Sequence, residues 1–324
     1  MIKVVLINVY FGKLPNYFPL WLKSVEKNPT IDFLIVTDDK TKYNYPKNVI
    51  VIYDNFNNIK NRFDCIFDFN NVLDSPYKLC EYKPFYNLIF EDIVKKYDFW
   101  GYCDLDLIFG DIRKFLSEDI FNNYKKIYNR GHMTIYKNTK EVNDIISSKE
   151  LFVDCYNYIE ALTTRYVCHF DEGYGVSKIF DYLKINQYNK VDCADINQKK
   201  YCFNNLFRED LKEQKGIYKW ENGKLFFINE KNKETEIIYA HFQKRNMDLD
   251  EEVLEKNVFF AIPNKFICKV DKDISSYCKN RPIYFEYRKR RFKEIITNLK
   301  NGSLQEKLYR KIKSKKFKGL KYGK

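Results

Sequence analysis

The chain has 324 residues, with 57 Lys or Arg against 44 Asp or Glu, and a formal net charge of +13. Residues 288–324 hold fifteen of the basic residues against only Glu294 and Glu306, so this tail carries the whole excess and the preceding body is neutral. Charge so placed argues against a nucleic-acid-binding globule, whose basic surface would be spread over the fold, and for a cationic appendage. With 45% hydrophobic and 18% aromatic residues the body is rich enough to bury a sizeable core, which excludes disorder for most of the chain. The nine cysteines are odd in number, scattered and never spaced Cys-x-x-Cys, the usage of reduced thiols rather than disulfides or a zinc site. Met1-Ile2-Lys3-Val4-Val5 runs straight into an apolar segment without a signal-peptide layout, and no apolar run approaches the ~18 residues of a membrane span. These features lead us to expect a cytoplasmic protein.

In chain order, Val4 to Tyr10 is an apolar strand closed by Phe11-Gly12-Lys13. Phe18, Trp21, Leu22 and Val25 fall at helical spacing and predict a helix over 18–27, with Pro19 in its first turn. Residues 32–37 predict a second strand, and strand, helix, strand at this length makes a right-handed βαβ unit with a parallel sheet. Residues 49–53 predict a third strand, 55–77 a polar connection, and 83–97 a helix with Pro84 in its first turn. The mostly apolar strand Asp98 to Cys103 then runs directly into Asp104-Leu105-Asp106. Further on, 126–128 and 133–136 predict strands, 141–163 and 176–183 helices, and 216–240 a β meander that ends at Ile237-Ile238-Tyr239-Ala240 before His241. The economical domain organisation is one α/β body, residues 1–287, with an antiparallel extension, followed by a basic tail, residues 288–324.

Asp104 and Asp106 are the sharpest chemical feature. Alternation along a strand puts positions i and i+2 on one side, so both carboxylates converge at the carboxyl edge of the sheet, where open α/β sheets bind ligands. Two such carboxylates repel unless a cation lies between them, which points to a divalent metal; a solvated strand end or helix cap is the competing reading.

The segment Phe99-Trp100-Gly101-Tyr102-Cys103-Asp104-Leu105-Asp106 resembles the metal-binding strand end of GT-A-fold glycosyltransferases. With Ala240-His241-Phe242-Gln243-Lys244-Arg245 it is similar to a group of bacterial polysaccharide-type glycosyltransferases, over roughly residues 1 to 250. The resemblance implies a GT-A-like nucleotide-binding mixed sheet flanked by helices, with a basic C-terminal helical tail. It implies Mn²⁺ or Mg²⁺ held by Asp104, Asp106 and His241, and a nucleotide-sugar donor, UDP-linked, as the second cofactor. Lys244 or Arg245 would then steady the leaving diphosphate; the glycine and proline that often follow this histidine are absent here. His241 as a histidine bonded to backbone is the alternative.

Under the same resemblance Asp171 or Glu172, in the loop Phe170 to Gly175, faces the acceptor as base or stabilising carboxylate, with an N-cap role for Asp171 as the alternative. His132 lines the acceptor side or is structural. Nucleotide contacts are expected from Tyr10, Phe11 and Gly12 beside the base or ribose, from Thr37 and Asp38 opposite, and from Lys83 at a helix start facing phosphate or sugar hydroxyls. Asp111 and Arg113 are expected to support the metal ligands. The tail reads as basic amphipathic helices, with apolar stripes at Phe292, Ile295, Ile296 and Leu299 and at Leu304, Leu308 and Ile312, suited to an anionic membrane. The expected partners are therefore the donor, a glycan or lipid-linked acceptor and the inner face of the cytoplasmic membrane, with no nucleic acid. The competing functions are a sugar-1-phosphate nucleotidyltransferase and a non-catalytic membrane-associated scaffold.

Overall fold

Val4-Val5-Leu6-Ile7 offers no polar face, and a strand built from such a run is buried on both sides. In the computed structural model, which describes residues 1–150, 155–173, 175–278, 285–300, 302–306 and 308, it forms the first half of β1 (Val4–Tyr10). Val5 and Ile7 enter one core cluster and Val4 and Leu6 the cluster on the opposite face. Helix α1 (Phe18–Glu26) carries the chain over to β2 (Ile31–Thr37), which pairs parallel with β1, and β3 (Val49–Tyr53) extends the sheet in parallel.

Two stretches depart from the sequence expectation. The expected connection at 55–77 contains a helix, α2 (Phe56–Ile66), started by Asn55, whose side chain accepts from the N–H of Asn58. It buries only Ile59 and Phe63, four residues apart, a stripe too narrow to stand out among its asparagines. The helix expected over 83–97 is instead a 3₁₀ segment, Pro76–Phe85, followed by two single turns, α3 (Tyr86–Ile89) and α4 (Glu91–Val94). The 3₁₀ segment is pinned by buried charges. Lys78 Nζ donates to the carbonyls of Ala161 and Tyr166 at 3.2 and 2.7 Å, and Glu81 accepts from the backbone N–H groups of His169 and Phe170 at 2.8 and 3.4 Å. Pro84, inside it, has no N–H to continue a ladder.

After β4 (Phe99–Cys103) the chain forms β5 (Leu107–Phe109), α5 (Ile112–Phe115), α6 (Glu118–Asn123), β6 (Lys126–Arg130) and β7 (Met133–Lys137). The expected helix at 141–163 is two, α7 (Lys140–Ile146) and α8 (Tyr158–Leu162), the second opened by a reciprocal Asn157–Glu160 capping box; residues 151–154 lie outside the described residues. Helix α9 (Val176–Tyr182), β8 (Gln187–Tyr188) and β9 (Ala194–Asp195) follow. The first sheet runs β3-β2-β1-β4-β7-β6-β8, parallel over its first four strands and antiparallel at β4/β7. This is the expected α/β class, a mixed sheet flanked by helices.

The antiparallel extension comprises β10 (Phe203–Asn204), β11 (Lys215–Glu221), β12 (Lys224–Asn229) and β13 (Glu234–Glu236). Asn222 and Gly223 turn β11 into β12 with φ of 51° and 87°, the left-handed pair that a two-residue hairpin requires. The next strand, β14 (Tyr239–His241), leaves this meander and pairs with β5 and β9 in a separate three-stranded sheet. Strands β15 (Asp248–Leu249), β16 (Val258–Ile262) and β17 (Lys265–Ile267) complete the meander sheet. The short helix α10 (Ile274–Tyr277) precedes the tail helix α11 (Phe285–Lys300). Residues 309–324, including Ile312 of the second expected stripe, lie outside the described residues. All nine cysteines are free thiols. Among the described residues no helix is long and apolar enough to cross a membrane.

Candidate metal centre

Asp104-Leu105-Asp106 is the bridge between two sheets, from the end of β4 to the start of β5. The carboxylates therefore sit on a turn and not on a continuing strand, yet Leu105 is buried and both acids emerge on the other side, as alternation predicts. Backbone bonds hold the turn at both ends: the Asp104 N–H donates to the His132 carbonyl at 3.0 Å, and the Phe242 N–H to the Asp106 carbonyl at 2.9 Å. Antiparallel pairing of β14 with β5 sets His241 opposite Leu107. Ligand atoms of Asp104, Asp106 and His241 all lie within 4.8 Å of one another. Two carboxylates and an imidazole form a donor set suited to Mn²⁺ or Mg²⁺.

The charges here are tightly balanced. Asp106 Oδ1 lies 3.4 Å from His241 Nε2, and its Oδ2 accepts the Lys244 N–H at 2.7 Å. Burial alone would raise the Asp106 pKa, but His241 and the Lys244 N–H hold it well below the carboxylate range. Burial would lower that of His241, but Asp106 and Asp195 raise it to about 10. The chain turns sharply at this point through Gln243 and Lys244, with φ of 50° and 59°. A glycine would take this left-handed backbone without strain; here two non-glycine residues carry it, a cost that marks sites held by their surroundings.

Lys83 lies at the end of the 3₁₀ segment, not at a helix start, and its Nζ reaches Asp104 Oδ1 at 2.6 Å, the Gly131 carbonyl at 2.7 Å and Asp171 Oδ2 at 3.6 Å. The lysine therefore neutralises the Asp104 carboxylate and ties it to Asp171. Asp171 is 2% exposed and its Oδ1 has no hydrogen-bond partner. Burial, with Glu172, Glu81 and Asp104 nearby, raises its pKa to about 8 against the opposing pull of Lys83. It caps no helix, since the N-cap of α9 is Gly175. Glu172 is more open and lies 3.3 Å from His169 Nδ1; burial opposes ionisation, yet His169 and Lys83 keep its pKa below the ordinary value. Gly131 lets these loops close, because a Cβ there would lie 2.5 Å from Asp171 Oδ2.

Asp195 and His132 complete the cluster. Asp195, which no sequence motif singles out, pairs with His241 in the β9/β14 register and accepts from its Nδ1 at 2.9 Å. This is the carboxylate–histidine pairing that fixes the tautomer and ring orientation of a metal ligand. His132 packs against His241 with ring centroids 4.4 Å apart and planes tilted by 38°, and bonds Tyr239 through Nδ1 at 2.9 Å, while its buried Nε2 has no hydrogen-bond partner. Burial first, then His241, Arg130 and Lys83, keep it neutral.

The expected nucleotide residues divide. Tyr10 is half-buried near enough to Asp106 for burial and that charge to raise its pKa. Phe11 packs edge-on against Phe56. Gly12, at φ 97°, donates its N–H to Asp38 Oδ1 at 2.7 Å, so Asp38 braces the first loop. Thr37 is fully buried with its hydroxyl accepting from the Asp39 N–H, which removes it as a ligand contact. Lys244 extends over the Tyr77 ring at 4.0 Å beside the centre. Arg245, by contrast, is 4% exposed and directs its guanidinium to the carbonyls of Tyr201 and Lys200, which corrects its expected place at the diphosphate. Asp111 caps α5, and Arg113 binds Thr30 and the Ile2 carbonyl at the far edge of the sheet, so neither supports the candidate ligands.

Fold and site together define an α/β protein with a cluster of potential metal ligands at the carboxyl edge of its parallel strands. The chain belongs to the family described as "Family of unknown function (DUF6625)", whose sequence model matches residues 6–270. No curated protein matches the sequence significantly. Among solved structures, that of the galactosyltransferase LgtC in complex with donor and acceptor sugar analogs is similar with 12% identity and a TM-score of 0.34, over 60% of this chain and 75% of that one.

Proposed function

We propose that the protein is a metal-dependent glycosyltransferase that moves a sugar from a nucleotide diphosphate donor, UDP-linked, to a glycan or lipid-linked acceptor in cell-surface polysaccharide synthesis. The supporting observation is the convergence of Asp104, Asp106 and His241 from two sheets, with their ligand atoms within 4.8 Å, at the edge where open α/β sheets bind nucleotides. Mn²⁺ or Mg²⁺ held by these three would neutralise charge on the departing diphosphate. Lys244, beside the centre, contacts that diphosphate. Tyr10, Phe11 and Gly12 line the nucleoside side, with Asp38 holding the Gly12 backbone in place. Asp171 works on the acceptor side: a buried carboxyl with a pKa of about 8 and an unpartnered oxygen suits proton transfer near neutral pH, and Glu172 stands beside it. Residues 1–287 form the catalytic body, and residues 288–324 bring it to the anionic inner face of the cytoplasmic membrane.

The test is release of UDP or GDP from a panel of UDP- and GDP-sugars, with Mn²⁺ and with EDTA. Metal-dependent release that disappears in Asp106→Ala supports the proposal. Turnover of a nucleoside triphosphate with sugar 1-phosphate, or no nucleotide binding, overturns it.

A further inference from the structure

An amphipathic helix ordinarily turns its apolar stripe toward the protein. Helix α11 does the reverse. Tyr287, Arg290 and Glu294, at i, i+3 and i+7, are its half-buried positions, while Phe292, Ile295, Ile296 and Leu299 are 66, 47, 36 and 49% exposed. At 3.6 residues per turn the two stripes lie about 160° apart. Arg288, Lys289, Lys293 and Lys300 interleave with or flank the outward apolar stripe. An apolar stripe bordered by cations matches one occupant in both respects, the surface of an anionic bilayer.

The inward face reaches the candidate metal centre by two routes, both through Arg290. Its Nη1 donates to the Lys244 carbonyl at 3.4 Å, and the N–H of the same residue clamps Asp106 Oδ2. Its Nη2 donates to Gln198 Oε1, Gln198 Nε2 donates to Gln243 Oε1, and Gln243 Nε2 donates to Asp195 Oδ1, the atom that accepts from His241 Nδ1. The left-handed residues Gln243 and Lys244 are the two that Arg290 steadies, one directly and one through Gln198.

We infer that Arg290 is a positioning residue for the metal ligands Asp106 and His241, and that seating α11 on an anionic bilayer tightens metal binding by holding Arg290 in place. The inference rests on the metal-dependent reading above and adds its regulation. A bilayer on the outward face leaves the inward contacts intact, so metal and bilayer favour the same docked state of α11; by linkage each strengthens the other by the same factor.

The experiment measures Mn²⁺ affinity of the full chain by electron paramagnetic resonance, with and without phosphatidylcholine vesicles containing phosphatidylserine, alongside vesicle co-sedimentation with and without Mn²⁺. Vesicles should raise Mn²⁺ affinity about fivefold or more, and Mn²⁺ should raise vesicle affinity equally. Arg290→Ala should lower Mn²⁺ affinity in solution and remove the vesicle effect while co-sedimentation persists, and Arg290→Lys should restore part of it. Phe292→Ser with Ile296→Ser should lose vesicle binding and the vesicle effect but keep the solution affinity, which provides a test independent of Arg290. Mn²⁺ affinity that vesicles and Arg290→Ala both leave unchanged overturns the coupling alone. Equal binding to purely zwitterionic vesicles, or binding to RNA in place of vesicles, overturns the bilayer as occupant. If wild type binds no more Mn²⁺ than Asp106→Ala, the metal reading falls and the coupling with it.

Discussion

The ammonium of Lys83 lies 2.6 Å from Oδ1 of Asp104, a carboxylate of the candidate metal centre. A second carboxylate, Asp171, lies 3.6 Å from the same ammonium, and the lysine is largely buried. The cation therefore keeps two acids compatible in the protein without metal. Removing one partner of such a buried pair is expected to cost about 3 kcal/mol. Lys83→Met should melt well below wild type in EDTA and recover more than wild type on adding Mn²⁺, since the metal replaces part of the lost positive charge. Equal Mn²⁺ gains in the two proteins would show that Lys83 and the metal do not share a charge site.

Asp195 touches His241 and none of the other proposed ligands. Asp195→Asn keeps the shape but loses the charge that holds the imidazole, and Mn²⁺ affinity should fall about 10- to 100-fold with little change in secondary structure by circular dichroism. Unchanged affinity would reduce Asp195 to a packing residue.

Gly131→Ala places a methyl group 2.5 Å from Asp171 Oδ2 and 2.9 Å from Glu172 Cγ. Both loops must shift, at about 1–3 kcal/mol. Urea unfolding should show this loss, and acceptor-dependent transfer should fall more than donor hydrolysis, because the added methyl meets Asp171 and Glu172 directly, whereas it reaches Asp104 only through Lys83 and the His132 carbonyl. Parallel losses in the two activities would place Asp171 outside the acceptor side.

Lys126 is fully buried and donates to Ser177 Oγ at 2.7 Å and to the Tyr128 carbonyl. Burial pushes its pKa down to about 7, against a weak opposing pull from Asp181. Between that value and the ordinary lysine range the unfolded chain binds the extra proton, so stability rises with pH through this window. From pH 7 to pH 9.5 the contribution is roughly 1–3 kcal/mol. The urea midpoint should rise across this interval in wild type by more than in Lys126→Met; identical slopes would mean that the lysine is folded in charged.

The sequence carried much of this architecture on its surface. Strands β1 and β3 both begin and end, and α1 begins, at the residues that their periodicity marks, because an unbroken apolar run and a 3.6-residue stripe each report burial directly. Helix α2 was hidden because it touches the core only through Ile59 and Phe63. The 3₁₀ segment departs from the expected helix because its conformation answers to Lys78 and Glu81 gripping the backbone of residues 161–170, a partner no local pattern announces. Arg245 illustrates the same limit: its charge suggested an anion, but its neighbours are the carbonyls of residues 200 and 201.

By itself the sequence determined the βαβ opening, the pairing of Asp104 with Asp106 across a buried Leu105, the prominence of His241 and the confinement of the +13 charge to the tail. Each is a statement about near neighbours in the chain or about composition, where period and count suffice. Only the tertiary structure decided that Asp195 holds His241, that Lys83 joins Asp104 to Asp171, and that the tail helix turns Arg290 inward and its apolar stripe outward. Those contacts join residues 21 to 92 positions apart. Their geometry depends on how three sheets and a helix pack, which no local period encodes.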